Sequence, residues 1–460
     1  MIFASWPAAA LALGLLAAPV LAQTAPDTKP PVSDAASGLL EPEAGTEPFP
    51  QLLMGTLGVE GDLIEDRTPR TTVTNATPAL SPWMTWKAGV QARTGITFGG
   101  SYGVLWQSFS NSRFGEDNSV GHKFTLNLSK ALINAGKPNA LTLDVALEDR
   151  RPLGTDLPPT FAGIAAGAGL PTAATWVDFN LGVSQFYIRQ TLSGGRFQYT
   201  IGKIFAPNFV DAYPFFDDNR QFLNLAFSTS PTIAVPLRGF GFVGAAYPGS
   251  GSTYVKAGMF TANSDDTGVT IDDFFTENEH FYFIEIGRTQ FARRPIPIHA
   301  RGPMDANNMH LTFWYRDPLA LRAGLNPLLR PRPEAYGVAF SINQMIDTDI
   351  MWFLRGGIGT GGFAKANLTG GFGYRPSSRT ADLFGIGIGW SDPDIPDINV
   401  PLPVPLPTDL PSQTVGEVFY RFALTPAFAV TPDFQLILNP SLDPRRDTLA
   451  VFSLRARLAF

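Results

Sequence analysis

The chain closes with Leu449-Ala450-Val451-Phe452-Ser453-Leu454-Arg455-Ala456-Arg457-Leu458-Ala459-Phe460. Phe452, Leu454, Leu458 and Phe460 share one parity, and Ser453, Arg455 and Arg457 share the other. A period of two belongs to a β-strand whose faces meet different surroundings, because successive side chains point to opposite sides of the pleat. The pattern continues upstream. Ile96, Phe98, Tyr102, Val104 and Trp106 alternate with Gly, Thr and Ser, and Phe124, Leu126 and Leu128 with Thr125, Asn127 and Ser129. Leu141, Leu143, Val145 and Leu147 alternate with Thr142, Asp144 and Glu148, and Phe384, Ile386, Ile388 and Trp390 with three glycines.

The same rule places strands near 93–106, 124–131, 141–148, 183–191, 197–203, 239–247, 253–260, 281–288, 309–316, 335–343, 350–356, 368–374, 383–390, 415–424, 433–439 and 449–460. About sixteen strands is an even number, as bacterial outer-membrane barrels have. Ser193-Gly194-Gly195, Pro248–Ser252 and Pro376–Asp382 are short turns, whereas 149–182, 204–237, 261–280 and 391–414 are long connections. With both termini periplasmic, the long segments fall outside the cell. The connection 289–308 is long where a turn is expected, so it either carries a small element or marks a slip of register.

Composition agrees with an all-β, transmembrane antiparallel barrel. In 460 residues, charged residues make up 16% and aromatics 12%, with 45 Gly and 40 Pro; soluble domains carry about 25% charged residues. Mean hydropathy is +0.04, and the mature region lacks the run of about 20 apolar residues that a spanning helix needs. A barrel hides its membrane face in alternation, which averages to such a value. The net charge of −6 does not suit nucleic acid or anionic lipid as the main partner, since both select basic surfaces. The absence of cysteine excludes thiolate metal sites, Cys nucleophiles and disulfides.

Residues 1–22 read as a signal peptide, with an apolar run from Ala8 to Leu21 ending in the small-x-small pattern Val20-Leu21-Ala22. Residues 23–80, rich in Pro, Ala, Thr and acids, read as a flexible, disordered linker with one helical turn. Residues 81–460 are then the barrel domain.

Three stretches resemble the carbohydrate-selective porin family, of the outer-membrane porin B type. The first is Ser81-Pro82-Trp83-Met84-Thr85-Trp86 with the strand through Tyr102, although the family's Gly-Asp-Trp-Gly-Gly is absent. The second runs from Gly202-Lys203-Ile204 through Asp211-Ala212-Tyr213-Pro214-Phe215 to Asn219-Arg220-Gln221-Phe222-Leu223-Asn224-Leu225-Ala226-Phe227. The third joins Glu417-Val418-Phe419-Tyr420-Arg421, Thr425-Pro426, Pro432-Asp433-Phe434-Gln435 and Asn439-Pro440 to the terminal Phe460. An apolar strand ending in Phe also resembles the signal read by the barrel-assembly machinery. The resemblance implies a sixteen-stranded outer-membrane channel that passes sugars by diffusion, without cofactor or catalysis.

Residues opposite the apolar stripe face the lumen, because Arg or Lys facing lipid near the midplane costs about 2–4 kcal/mol. Parity puts Glu148, Arg189, Lys256, Glu285, Arg316, Arg355, Glu417, Arg421, Arg455 and Arg457 there, with Phe281, Phe283, Trp314 and Phe419. Mixed signs do not make a one-sign ion filter. Charged groups exchange hydrogen bonds with hydroxyls and rings stack on pyranose faces, so this set suits sugars or similar small neutral solutes. A slip of one residue turns the aromatics into membrane-belt residues facing outer-membrane lipid. Segment 204–237 carries Asp211, Asn219, Arg220, Gln221 and Asn224 and either folds inward as a constriction or lies over the mouth. Asp265-Asp266 and Asp272-Asp273 lack the spacing of a dedicated Ca²⁺ loop. His122, His280, His299 and His310 stand in no metal-binding motif. A Ser-His-acid hydrolase has no local signature here. Other-solute porins and, behind them, a barrel enzyme are the alternatives.

Overall fold

A computed structural model describes residues 49–135, 139–249, 251–263, 267–291, 306–320, 333–394 and 410–460. The expected signal peptide, residues 23–48 of the linker, His299 and Asp265-Asp266 lie outside these residues.

The strands are β1 (Ile96–Phe109), β2 (Asn118–Ile133), β3 (Leu141–Pro152), β4 (Phe179–Leu192), β5 (Phe197–Phe205), β6 (Arg238–Ala246), β7 (Thr253–Thr261) and β8 (His280–Phe291), followed by β9 (Ala306–Arg316), β10 (Ala335–Met345), β11 (Ile350–Gly359), β12 (Ala364–Tyr374), β13 (Leu383–Pro393), β14 (Gln413–Ala423), β15 (Phe428–Leu438) and β16 (Thr448–Ala459). Each pairs antiparallel with its sequence neighbours, and β16 returns to β1 with Leu105 opposite Arg455, closing the barrel. Closure removes the sheet edges, which could not remain unpaired in lipid.

Alternation sorts the side chains as expected. Ile284, Ile286, Phe313, Ile388, Phe452 and Leu454 are exposed on the outer surface, while Glu285, Thr312, Glu417 and Arg455 are buried inside. The β8–β9 ladder runs unbroken from Phe281 opposite Arg316 to Phe291 opposite Ala306, so register does not slip across the long 289–308 connection. Strand β15 begins five residues earlier than the alternation suggested, because Pro432 lies within it. Pro432 still pairs with Leu454 of β16, while the β14 ladder is interrupted between Phe419 opposite Asp433 and Phe422 opposite Val430. A residue without an N–H is tolerated at such an irregularity.

Two corrections concern the N-terminal region. The described part of the expected flexible linker is folded. Pro50, Leu52 and Leu57 bond to Gln198, Asn208 and Gln185, and helix α1 (Val59–Arg67) follows. Val73 and Thr74 then donate backbone bonds to Ala423 and Leu424 at the β14–β15 turn. Composition gave no sign of this, because Leu53, Val59 and Leu63 are buried, and Asp62 finds Asn127 and Arg220, only inside the closed barrel. The first strand, expected from residue 93, starts at Ile96, because helix α2 (Ser81–Thr94), with Pro82 in its first turn, runs on through Arg93 and Thr94. Gly95, at φ +68°, ends the helix in the left-handed conformation that glycine adopts without penalty.

Candidate functional site: a loop and a helix inside the barrel

Of the two readings of 204–237, the inward one describes the structure. The β5–β6 loop enters through a 3₁₀ turn at Ala206–Asn208, crosses the lumen, and forms the short helix α3 (Leu225–Ser228) before returning to β6. Phe209, Phe215, Phe216, Phe222, Leu223 and Phe227 are buried along it. The barrel wall makes room for these rings by lacking side chains. A Cβ on Gly373 would lie 2.4 Å from Phe215 Cε1, and one on Gly387 2.8 Å from Phe227 Cε1. The glycines of β12 and β13 thus permit close approach of the loop.

Polar residues of the wall then tie the loop in place. Glu417 of β14 accepts from the backbone N–H groups of Leu223 (2.6 Å) and Asn224 (3.0 Å), and Asn224 Nδ2 donates to Gln435 Oε1 (2.9 Å). Arg455 of β16 donates to the carbonyls of Asp218 and Gln221, the latter at 2.9 Å. Lys123 of β2 pairs with Asp218 at 3.0 Å. Arg355 of β11 binds the Asp211 carboxylate and donates to the carbonyls of Asp211 (2.9 Å) and Thr229 (3.0 Å), with its Cζ 3.9 Å from the centroid of the Tyr213 ring. His310 Nε2 lies 2.9 Å from Asp211 Oδ1, and Glu285 accepts from the Asp211 N–H at 3.2 Å. Burial alone would raise the Asp211 pKa, but Arg355 and His310 outweigh it and hold the carboxyl below its usual range.

The second component is α1. Arg220 of the loop, buried between them, bonds Asp62 and Asp66 (2.8 Å) of the helix and Asp217 of its own loop. Arg457 of β16 holds both Asp66 oxygens, at 2.8 and 2.7 Å. Burial works against ionisation of both carboxyls; for Asp66, Arg220 and Arg457 prevail and its pKa falls, whereas Asp62 stays raised. Asp66 therefore carries the charge that the two arginines share. Arg189 of β4 reaches Glu60 of α1 at 2.7 Å and Asp144 at 3.2 Å. A third inward element is the β3–β4 loop, whose stretch 161–176 contains no charged residue. It packs on the β5–β6 loop through the bonds Ala174 N to Leu223 O (2.9 Å) and Leu225 N to Pro171 O (3.0 Å).

The residues singled out from the sequence thus divide. Glu285, Arg355, Glu417 and Arg455 on the wall, with Asp211, Arg220, Gln221 and Asn224 on the loop, form one interlocked set. Phe419 is covered by Phe222, 5.0 Å away edge to face, so its ring is part of this packing. Trp314 of β9 stacks on Phe281 of β8 (5.8 Å, 14°), on the strands that carry His310 and Glu285, and Arg316 donates to the Pro333 carbonyl at 2.8 Å. Arg189 and Arg457 pair with Glu60 and Asp66 of α1, Arg421 donates to the Ala381 carbonyl at 2.9 Å, and Asn219 stays half-buried on the loop. Sequence reading missed Glu60, Asp62 and Asp66, because nothing local marks an acidic helix as the partner of arginines far along the chain. The uncharged run 161–176 was a readable sign of an inward loop. Among the described residues, no cluster of His, Asp and Glu converges as a metal site.

Comparison with known proteins agrees with this architecture. The family described as carbohydrate-selective porin, OprB family, matches residues 166–460, more than half of the chain. The chain belongs to the carbohydrate-selective porin family. The barrel is therefore a multi-pass protein of the outer membrane, and its exposed apolar face is the lipid face. The porin AaxA of Chlamydia trachomatis serovar A is 31% identical over 130 residues, 27% of each chain, so the match spans about a quarter of that relative. The OprB structure from Pseudomonas putida determined at high pH superposes with a TM-score of 0.62 at 14% identity, over 82% of this chain and 97% of that one. It shares the fold.

Proposed function

We propose that this barrel is a channel for passive, substrate-selective diffusion of carbohydrates, with a constriction built jointly from the β5–β6 loop and α1. The observation that carries the reading is the loop's fixation to β2, β11, β14 and β16 at once. A loop pinned at four places around the wall sets a defined aperture, as selection by size and hydrogen bonding requires. Family membership supplies the solute class.

The roles assigned to individual side chains follow from their reach. Glu417, Arg355, Arg455 and Glu285 position the loop. Arg189, Arg421, Asn219 and the partly exposed Glu60 and Asp66 of α1 present donors and acceptors to water, where they can exchange hydrogen bonds with sugar hydroxyls. A single channel then discriminates through polar groups of both signs, which suits neutral polyols better than ions. Phe460 is the group that the barrel-assembly machinery reads in this proposal.

The test is single-channel conductance in a planar bilayer with glucose, maltose and a non-sugar solute of similar size. Saturable reduction by sugars, weakened in Arg421→Ala, supports the reading. Conductance that sugars leave untouched would retain the channel and refute its selectivity for carbohydrates.

A further inference from the structure

Helix α2 reaches the inner face of β1 through Lys87, whose Nζ would lie 3.4 Å from a Cβ on Gly99, beside Leu63 of α1. It otherwise lies outside the wall beside β1, and none of its fourteen residues is buried. Trp83 and Trp86 meet at 4.9 Å, and both abut Phe98 edge to face at 6.1 and 5.7 Å. Trp83 also reaches Phe460 (6.3 Å), which stacks on Phe124 (6.4 Å). Phe98 and Phe124 belong to the outward parity of β1 and β2, so this aromatic group continues the lipid-facing surface. Phe460 lies flat there because Gly100 has no side chain; a Cβ would sit 2.9 Å from its ring. Trp86 nevertheless remains 51% exposed and Met84 39%.

An isolated helix of this length is marginal in water, and the barrel covers only one edge of it. Indoles concentrate at the membrane–water boundary, where the ring is half apolar and the N–H is wet. Arg93 in the last turn of the same helix supplies a cation that can reach lipid phosphates from an apolar stem. We infer that α2 is an interfacial anchor lying in the headgroup–acyl boundary of the phospholipid leaflet at the end of the barrel where β16 finishes. Its partner is phospholipid. The helix fastens the segment just before β1, and so holds the near end of the chain that carries α1 into the lumen. This inference rests on the barrel's membrane surface and is independent of the solute.

The chain lacks cysteine, so single nitroxide labels can be placed without background in the full protein. Met84→Cys and Ala88→Cys report on α2, and Ser193→Cys in the β4–β5 turn is the aqueous control. In vesicles of phosphatidylethanolamine and phosphatidylglycerol, collisions with oxygen at 84 and 88 should exceed those with a water-soluble nickel complex several-fold, with the reverse at 193. Labels at 84 and 88 that behave like 193 overturn the inference. A second measurement avoids labels. Lipids brominated near the acyl ester should quench wild-type fluorescence more than that of Trp86→Phe, and equal quenching in folded protein likewise overturns the anchor.

Discussion

Replacing Arg355 by alanine tests whether the β5–β6 loop is held in the lumen by the wall. In the wild type, Arg355 joins the loop at Asp211 and Thr229 and lies over Tyr213. Asp211 itself sits at φ +51°, a left-handed conformation that such a clamp sustains. Removing one partner of a buried ion pair costs about 3–5 kcal/mol, since the other charge is left without compensation. Here His310 remains beside Asp211, so the lower figure of about 3 kcal/mol applies. At 1.4 kcal/mol per decade, this is roughly a hundredfold shift toward undocked loop conformations. The assay is single-channel recording with sugar titration. Arg355→Ala should conduct more, with larger current fluctuations and weakened sugar block, while the barrel keeps its heat-modifiable gel mobility. Arg355→Lys, which keeps the charge but not the forked geometry, should fall between. A folded Arg355→Ala protein with wild-type conductance and sugar block would refute the idea that this arginine fixes the aperture.

Other expectations probe the remaining supports. Gly373→Ala places a methyl group where Phe215 packs; overpacking of this kind costs about 1–3 kcal/mol and should appear as noisier channel currents from a barrel that still folds, whereas wild-type noise would contradict the close approach. Ile388→Arg, on the most exposed part of the β13 lipid face, should lower folding stability in vesicles by about 2–4 kcal/mol, and an unchanged urea midpoint would contradict the assigned parity. Asp66→Asn removes the charge shared by Arg220 and Arg457 and should raise conductance without altering heat-modifiability. Acid should act similarly. Asp66 and Asp211 both have carboxyl pKa values depressed in the folded protein, so their contribution is complete above the usual carboxylate value of about 3.9. It is lost as pH falls through the depressed values. Conductance should therefore hold steady at neutral pH and rise only in acid; opening toward alkaline pH would contradict the assignment.

Much of the wall could be read from local pattern. All sixteen expected strands are present, and Phe281, Phe283, Trp314, Glu285 and Arg455 lie on the expected inner side. Strand parity is a property of adjacent residues, and lipid on one side imposes it on every strand alike. Boundaries were less accurate where a local feature misled, as with Pro432 inside β15 and with residues 93–95, expected in β1 but forming the end of α2 and its cap.

What fills the barrel was a different matter. The sequence alone determined an even-stranded, closed, one-sidedly apolar barrel and the identity of most inward charges, because two-residue periodicity and the penalty for charge in lipid act locally. It left open whether 204–237 enters the lumen and gave no sign that 59–67 does. Those outcomes depend on pairs such as Asp66 with Arg457, Asp211 with Arg355, and Leu223 with Glu417, which lie far apart in the chain. Only closure of the barrel brings them within bonding distance, where an unpaired buried charge is costly enough to dictate the position of a loop and a helix.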